Sequence, residues 1–314
     1  MTRSPLVDPP PAEPPAGPLA PPADPAARRR ARRGLTVYFA ALVPLLLVPF
    51  AVDAALGTAG VRVVALFSPL LASVVARLVL REGWADVSFR IGGRRGRRGL
   101  LLAWLVPFAI QLPVYAIVWA TGLAGLDPSA GPLAGLAPEG TPVWLALLLQ
   151  VVIGATAITV VLSLVSAGEE IGWRGYMLTR MIDAGVPRPV LVHGLVWAVW
   201  HVPVFLLAGY AAGGAPPALA LALLLTQITA AGFLIARVRL ATGSVWTAVV
   251  AHGAWNSMIQ NVLDPVTTGD DASVWVGESG VLVTVALVVA AVLASRGTWT
   301  YVRALPAPSR TSVA

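Results

Sequence analysis

Two adjacent carboxylates, an arginine, two histidines and an asparagine stand out in a chain otherwise nearly free of charge. Glu169, Glu170 and Arg174 lie in Gly168-Glu169-Glu170-Ile171-Gly172-Trp173-Arg174-Gly175. His201 ends Trp197-Ala198-Val199-Trp200-His201, and His252 and Asn256 bracket His252-Gly253-Ala254-Trp255-Asn256. All lie in or beside apolar runs, where an ionisable group is costly and marks a functional site by default. On a helix Glu170 and Arg174, four residues apart, share a face, whereas Glu169 and Glu170 are rotated by about 100° and cannot share one task. Glu170 is therefore expected to pair with Arg174, leaving Glu169 toward the bundle interior as a general base for a water proton. His252 and Asn256, at i and i+4, place an imidazole and an amide on one face, a pair suited to donate hydrogen bonds to a developing oxyanion. Each piece also has a purely structural reading: an interfacial ion pair, a packed histidine, and an amide contact between helices.

The elements that must position these groups are membrane helices. Of 314 residues, 57% are hydrophobic and 12% charged, against roughly 25% charged in soluble domains. Apolar runs near the length of a bilayer crossing recur along the chain. They are drawn at 35–57, 61–80, 99–121, 143–166, 189–209, 217–236, 243–263 and 280–295. The expected fold is all-α, a polytopic bundle of about eight transmembrane helices. Residues 1–33 read as a disordered Pro/Ala-rich tail ending in Arg28-Arg29-Arg30-Ala31-Arg32-Arg33. Residues 34–297 read as the transmembrane domain, with the motif core at about 140–265, and 298–314 as a second tail. Ten of the first 25 residues are proline, a composition that cannot bury a core.

The net charge of +7 does not point to nucleic acid. All 22 basic residues are Arg, set mostly in alternate connections between apolar runs. The N-terminal tail and residues 81–98 carry six each, while the intervening connections are acidic or uncharged. The positive-inside rule then puts both termini in the cytoplasm. There is no Cys, which excludes a thiol nucleophile, a disulfide framework and thiolate metal sites. Abundant Ala, Gly, Pro and Arg without Lys suggests a GC-rich bacterial genome, hence a bacterial cytoplasmic membrane.

Depth tests whether the motifs can meet. His201 lies roughly 18 Å along the fifth run and His252 roughly 15 Å along the seventh, comparable depths for helices entering from one side. Glu169 lies beyond a full crossing counted from Val143. Either that helix is long and tilted, continuing to about Arg180, or it breaks near Gly168. His193, on roughly the same side as His201, is a weaker candidate for the site. Asp53 and Arg77 read as interfacial structural pairs.

Taken in order, the three motifs resemble the CPBP family: the CAAX proteases and bacteriocin-processing enzymes, also called Abi. The pattern there is Glu-Glu-xxx-Arg, aromatic-xxx-His and His-xxx-Asn on separate helices. Here Trp197 stands where the family usually has Phe. The resemblance covers about residues 140–265. It implies an intramembrane endopeptidase in which Glu169 and His201 activate water, His252 and Asn256 hold the oxyanion, and Glu170, Arg174 and Trp197 support them. The substrate would be a membrane-associated protein or peptide in the lipid bilayer. No cofactor is required on this reading. Zinc, held by Glu169, His201 and His252, is the variant consistent with family members described as metalloproteases. A cavity open to the cytoplasm is expected. The alternatives are a catalytically silent scaffold, immunity or regulatory protein of the same fold, and a proton-coupled transporter.

Overall fold

The computed structural model describes residues 17–207, 215–297 and 299–302. Residues 1–16, 298 and 303–314 of the tail segments, and 208–209 at the end of the fifth apolar run, lie outside them. The described chain is a helical bundle. Helix α1 spans Pro25–Leu56, α2 Val63–Leu66, α3 Ser68–Leu80 and α4 Arg94–Thr121. Helices α5 (Val143–Ile153), α6 (Thr159–Gly172) and α7 (Leu178–Ala184) follow end to end, joined by π-helical turns at Gly154–Ile158 and Trp173–Met177. Then come α8 Pro189–Leu207, α9 Pro217–Thr242, α10 Val245–Met258 with a π-helical turn Ile259–Leu263, the short α11 Ala272–Trp275, and α12 Val281–Ser295.

Five of these stretches are long and apolar enough to cross a membrane, and six if the pair Gly60–Leu66 and Ser68–Leu80, bent by 59°, counts as one. Helix α12 is a shorter apolar helix. The apolar runs thus reappear as helices, but the helices outrun them. Asp24 caps α1, its carboxylate accepting from the Ala26 and Ala27 backbone N–H groups at 2.8 and 3.2 Å, with Pro25 in the first turn. The arginine cluster 28–33 is therefore helical, and the tail boundary drawn at residue 33 moves back to residue 24. Arg94–Arg98 likewise form the start of α4. Arginine is a good helix former and its stem snorkels, so the end of an apolar run marks the edge of hydrocarbon, not of the helix.

The question left by Glu169 is answered by Val143–Ala184, a single 42-residue helical span. The long-helix alternative holds, and the chain does not break at Gly168. Close packing keeps this span in place. A Cβ at Gly172 would stand 2.2 Å from the Pro69 carbonyl carbon, and one at Gly168 would stand 2.3 Å from the Phe67 ring, so the motif helix rests on the bend between α2 and α3. Opposite, Gly253 of α10 lies against Ser163 of α6. A Cβ there would meet the Ser163 Cα and N at 2.6 Å. Gly253→Ala is expected to cost about 1–3 kcal/mol or more, because backbone cannot give way as a side chain can. Thermal unfolding in detergent should show the loss, and adding Ser163→Ala should not restore it.

Ion pairs fix the connections. Arg62 pairs with the buried Asp53. Arg77 forks onto Asp86 at 2.7 and 3.1 Å, and Arg180 bonds Glu82 at 3.0 Å. Arg239 donates to the Asp86 and Val87 carbonyls. These bonds clamp the 81–93 connection against the ends of α7 and α9, so Asp53 and Arg77 are structural pairs. Residues Gly17–Pro18 and Thr300–Tyr301 form a two-residue antiparallel ladder, which brings the described chain ends together. Val302 N–H bonds the Leu240 carbonyl, which puts these ends beside the last turn of α9.

At the other end, Gly125–Leu126 pairs with Thr267–Thr268. Nearby, Asp264 accepts a hydrogen bond from Tyr115. Burial pushes its carboxyl up to about 7, with the Tyr115 bond opposing and the Glu278 charge adding. A carboxyl raised above its unfolded value of about 3.9 contributes stability in full below that value and loses it as pH rises through the folded value. Thermal unfolding should therefore shift to lower temperature between about pH 4 and pH 8, and Asp264→Asn should flatten that slope.

Candidate active site

Trp197 is the hub. Its indole N–H donates to Glu169 Oε2 at 3.2 Å, and its backbone carbonyl accepts from His201 Nδ1 at 2.8 Å. Its ring meets the His201 and His252 rings edge-on, with centroids 5.5 and 5.3 Å apart. The Arg174 guanidinium lies over the same indole, 4.0 Å from the centroid. One residue thus touches a member of every motif. The i, i+4 step from Trp197 to His201 makes the carbonyl bond natural, since a helical side chain reaches back over the preceding turn.

Helical geometry splits the glutamates as expected. Glu170 is fully buried and its Oε1 accepts from Arg174 Nη1 at 2.5 Å. Glu169 points the other way, into a cavity. Two contacts go beyond the sequence reading. The Trp173 indole N–H also donates to Glu169 Oε2, at 3.2 Å, so one carboxylate oxygen is held by two indoles and Oε1 is left for other partners. The Glu169–Trp173 spacing of four residues was visible in the sequence. The second contact joins Glu170 Oε1 to His252 Nδ1 at 2.9 Å across 82 residues, which no local signal could reveal. Glu170 therefore orients a site histidine as well as holding Arg174.

The histidine tautomers follow. A carbonyl only accepts, so His201 carries a proton on Nδ1, and in the neutral ring Nε2 is the free acceptor. His252 Nδ1–H donates to a carboxylate, which leaves Nε2 as its second functional atom. His193 is buried edge-on to Trp173, with centroids 6.4 Å apart, and does not line the cavity.

The cavity has a volume of about 290 Å³ and its lining includes Glu169, His201, His252 and Asn256 together. Its walls are mostly apolar, among them Leu66, Phe67, Leu162, Val165, Val204 and Ile228. Ser166, Gln227, Gln260 and Glu278 also line it, and the motifs did not announce them. The lining does not extend toward the arginine-rich end. Along α8 the lining residues begin at Trp197, along α10 they begin at His252 and continue to Gln260, and Glu278 follows from the connection beyond. Gln260 lies about 22 Å along its helix from Val245, so the lining runs away from the chain ends.

A metal was the remaining variant. Among the described residues no three His, Cys, Asp or Glu side chains are grouped to hold a metal ion. Glu169 Oε2 and both Nδ1 atoms are engaged by indole, carbonyl and carboxylate groups, which leaves Glu169 Oε1 and Nε2 of His201 and His252 facing the cavity. No step below passes through a metal.

Fold and site define a polytopic helical membrane protein with a carboxylate and two histidines gathered in a cavity between its helices. Residues 139–258 match the family described as Rce1-like, the type II CAAX prenyl endopeptidases. That segment contains all three motifs, and over it the chain is similar to the CAAX-type membrane proteases. No curated protein matches the chain.

Proposed function

We propose that the protein hydrolyses a peptide bond of a membrane-associated protein or peptide by means of a glutamate-activated water. The family match supports the endopeptidase class. The observation that carries the finer reading is the convergence of Glu169, His201, His252 and Asn256 on one mostly apolar cavity.

Glu169 Oε1 and His201 Nε2 hold a water between them. Its oxygen attacks the scissile carbonyl carbon while its proton passes to Glu169. The carbonyl oxygen becomes an oxyanion, and the Asn256 amide donates to it together with His252, which acts as the imidazolium, with Nδ1–H on Glu170 and Nε2–H on the oxyanion. Collapse breaks the C–N bond as Glu169 returns the proton to the leaving nitrogen. The second proton of the water passes to His201 or to solvent. Trp173 and Trp197 keep Glu169 in place through the reaction, and Glu170 keeps the His252 ring oriented. We place the protein in a bacterial cytoplasmic membrane with both termini cytoplasmic, so that the cavity end at Gln260 and Glu278 faces the opposite side. The transmembrane domain spans about residues 34–297 together with the preceding arginine turn, and the tails lie outside it.

The test is cleavage of fluorescence-quenched membrane peptides by the reconstituted protein, with products mapped by mass spectrometry. New termini formed by the wild type and absent with Glu169→Gln support the reading. Equal cleavage by both proteins overturns it.

A further inference from the structure

The mechanism leaves one carboxylate of the cavity unused. Glu278 lines the same cavity as Glu169 and His201, at its far end. It is half-buried, and Gln260 Nε2 donates to its Oε1 at 2.6 Å. Gln260 is itself exposed, so the pair sits where the cavity meets its surroundings. Among the described residues no arginine lines the cavity, and residues 264–280 contain Asp264, Asp270, Asp271 and Glu278 without a basic residue. Glu278 is therefore an anionic group on an apolar wall, held by a neutral amide and facing a space that must receive the substrate chain.

We propose that Glu278, positioned by Gln260, is a specificity-determining carboxylate that takes an Arg or Lys side chain of the substrate. This rests on the proteolytic reading of the cavity and names its substrate class. Position follows from helix geometry. Gln260 lies eight residues beyond His252 on the same helical run, about 12 Å along its axis. An extended peptide advances about 3.3 Å per residue, so the basic residue lies about three to four positions from the scissile bond. Apolar side chains of the intervening residues match Val204 and Ile228 on the walls.

The experiment uses the full-length protein in proteoliposomes and three otherwise identical membrane peptides. They carry Arg, Gln or Glu three or four residues to either side of the cleaved bond. Binding is measured separately on the Glu169→Gln protein with Glu278 intact. The Arg peptide should exceed the Gln peptide by about tenfold or more in both kcat/KM and affinity, as expected of a charge-assisted contact. In Glu278→Gln, a near-isosteric change, that ratio should fall to about one, and in Glu278→Arg the Glu peptide should become the preferred one. An Arg-to-Gln peptide ratio that is the same in the wild type and in Glu278→Gln overturns the subsite. Peptides that bind with the expected preference but are never cleaved by the wild type overturn the protease reading while leaving the subsite standing.

Discussion

Glu169→Gln is expected to lower turnover by about 10²–10⁴-fold, the range for loss of a positioned general base, with little change in thermal stability. The fold should survive because the substitution keeps the contacts that hold the side chain. A glutamine carbonyl still accepts from the Trp173 and Trp197 indoles, which donate to Glu169 Oε2 in the native protein. On the proposed mechanism, the function removed is proton acceptance at the other oxygen. Glu169→Asp makes a useful companion, since it keeps the charge but withdraws it by one methylene from both indoles. It should retain more activity than Gln but lose thermal stability. Rates from the reconstituted protein, read beside unfolding temperatures for the same preparations, separate these outcomes. Turnover of Glu169→Gln within a few-fold of wild type rules out this residue as the base.

Arg174→Ala should be the most damaging single change to the fold. Arg174 and Glu170 are both fully buried and joined at 2.5 Å. Removing one partner of a buried ion pair leaves the other charge uncompensated, which costs about 3–5 kcal/mol. The loss spreads because Glu170 Oε1 also receives His252 Nδ1, and because the Arg174 guanidinium stacks on the Trp197 indole that holds Glu169. Activity should therefore fall even in protein that remains folded. Arg174→Lys should recover little, since an ammonium cannot reproduce the planar stack. Arg174→Met with Glu170→Gln should recover more stability than Arg174→Met alone, because the pair then carries no buried charge. Unfolding temperatures for the four variants measure this. Equal stability of Arg174→Met and the double variant contradicts an ion pair as the main contribution.

Sequence and structure contribute different parts of this picture. The class of fold was legible because hydrocarbon imposes a local requirement: each crossing must be apolar over its own length. The split between Glu169 and Glu170, the partner of Glu170, and the facing of His252 with Asn256 were legible because they follow from helical periodicity alone. Helix ends were not, since Arg28–Arg33 and Arg94–Arg98 continue helices that the apolar runs end, and a hydrophobic scan reads the membrane's edge. The continuity of Val143–Ala184 was also beyond sequence. Two π-helical turns absorb its changes of register, and the small residues Gly168 and Gly172 mark close approach to the bend before α3 as readily as a break.

The site itself was half legible. Residue types and order named Glu169, His201, His252 and Asn256, but only tertiary packing decided that Glu170 reaches His252, that Trp197 joins all three motifs, and that the cavity runs toward Gln260 and Glu278. The physical reason is range. Periodicity and hydropathy act within one helix, whereas the direction of a cavity depends on which helices leave space between them, and that is fixed by contacts across many residues of chain.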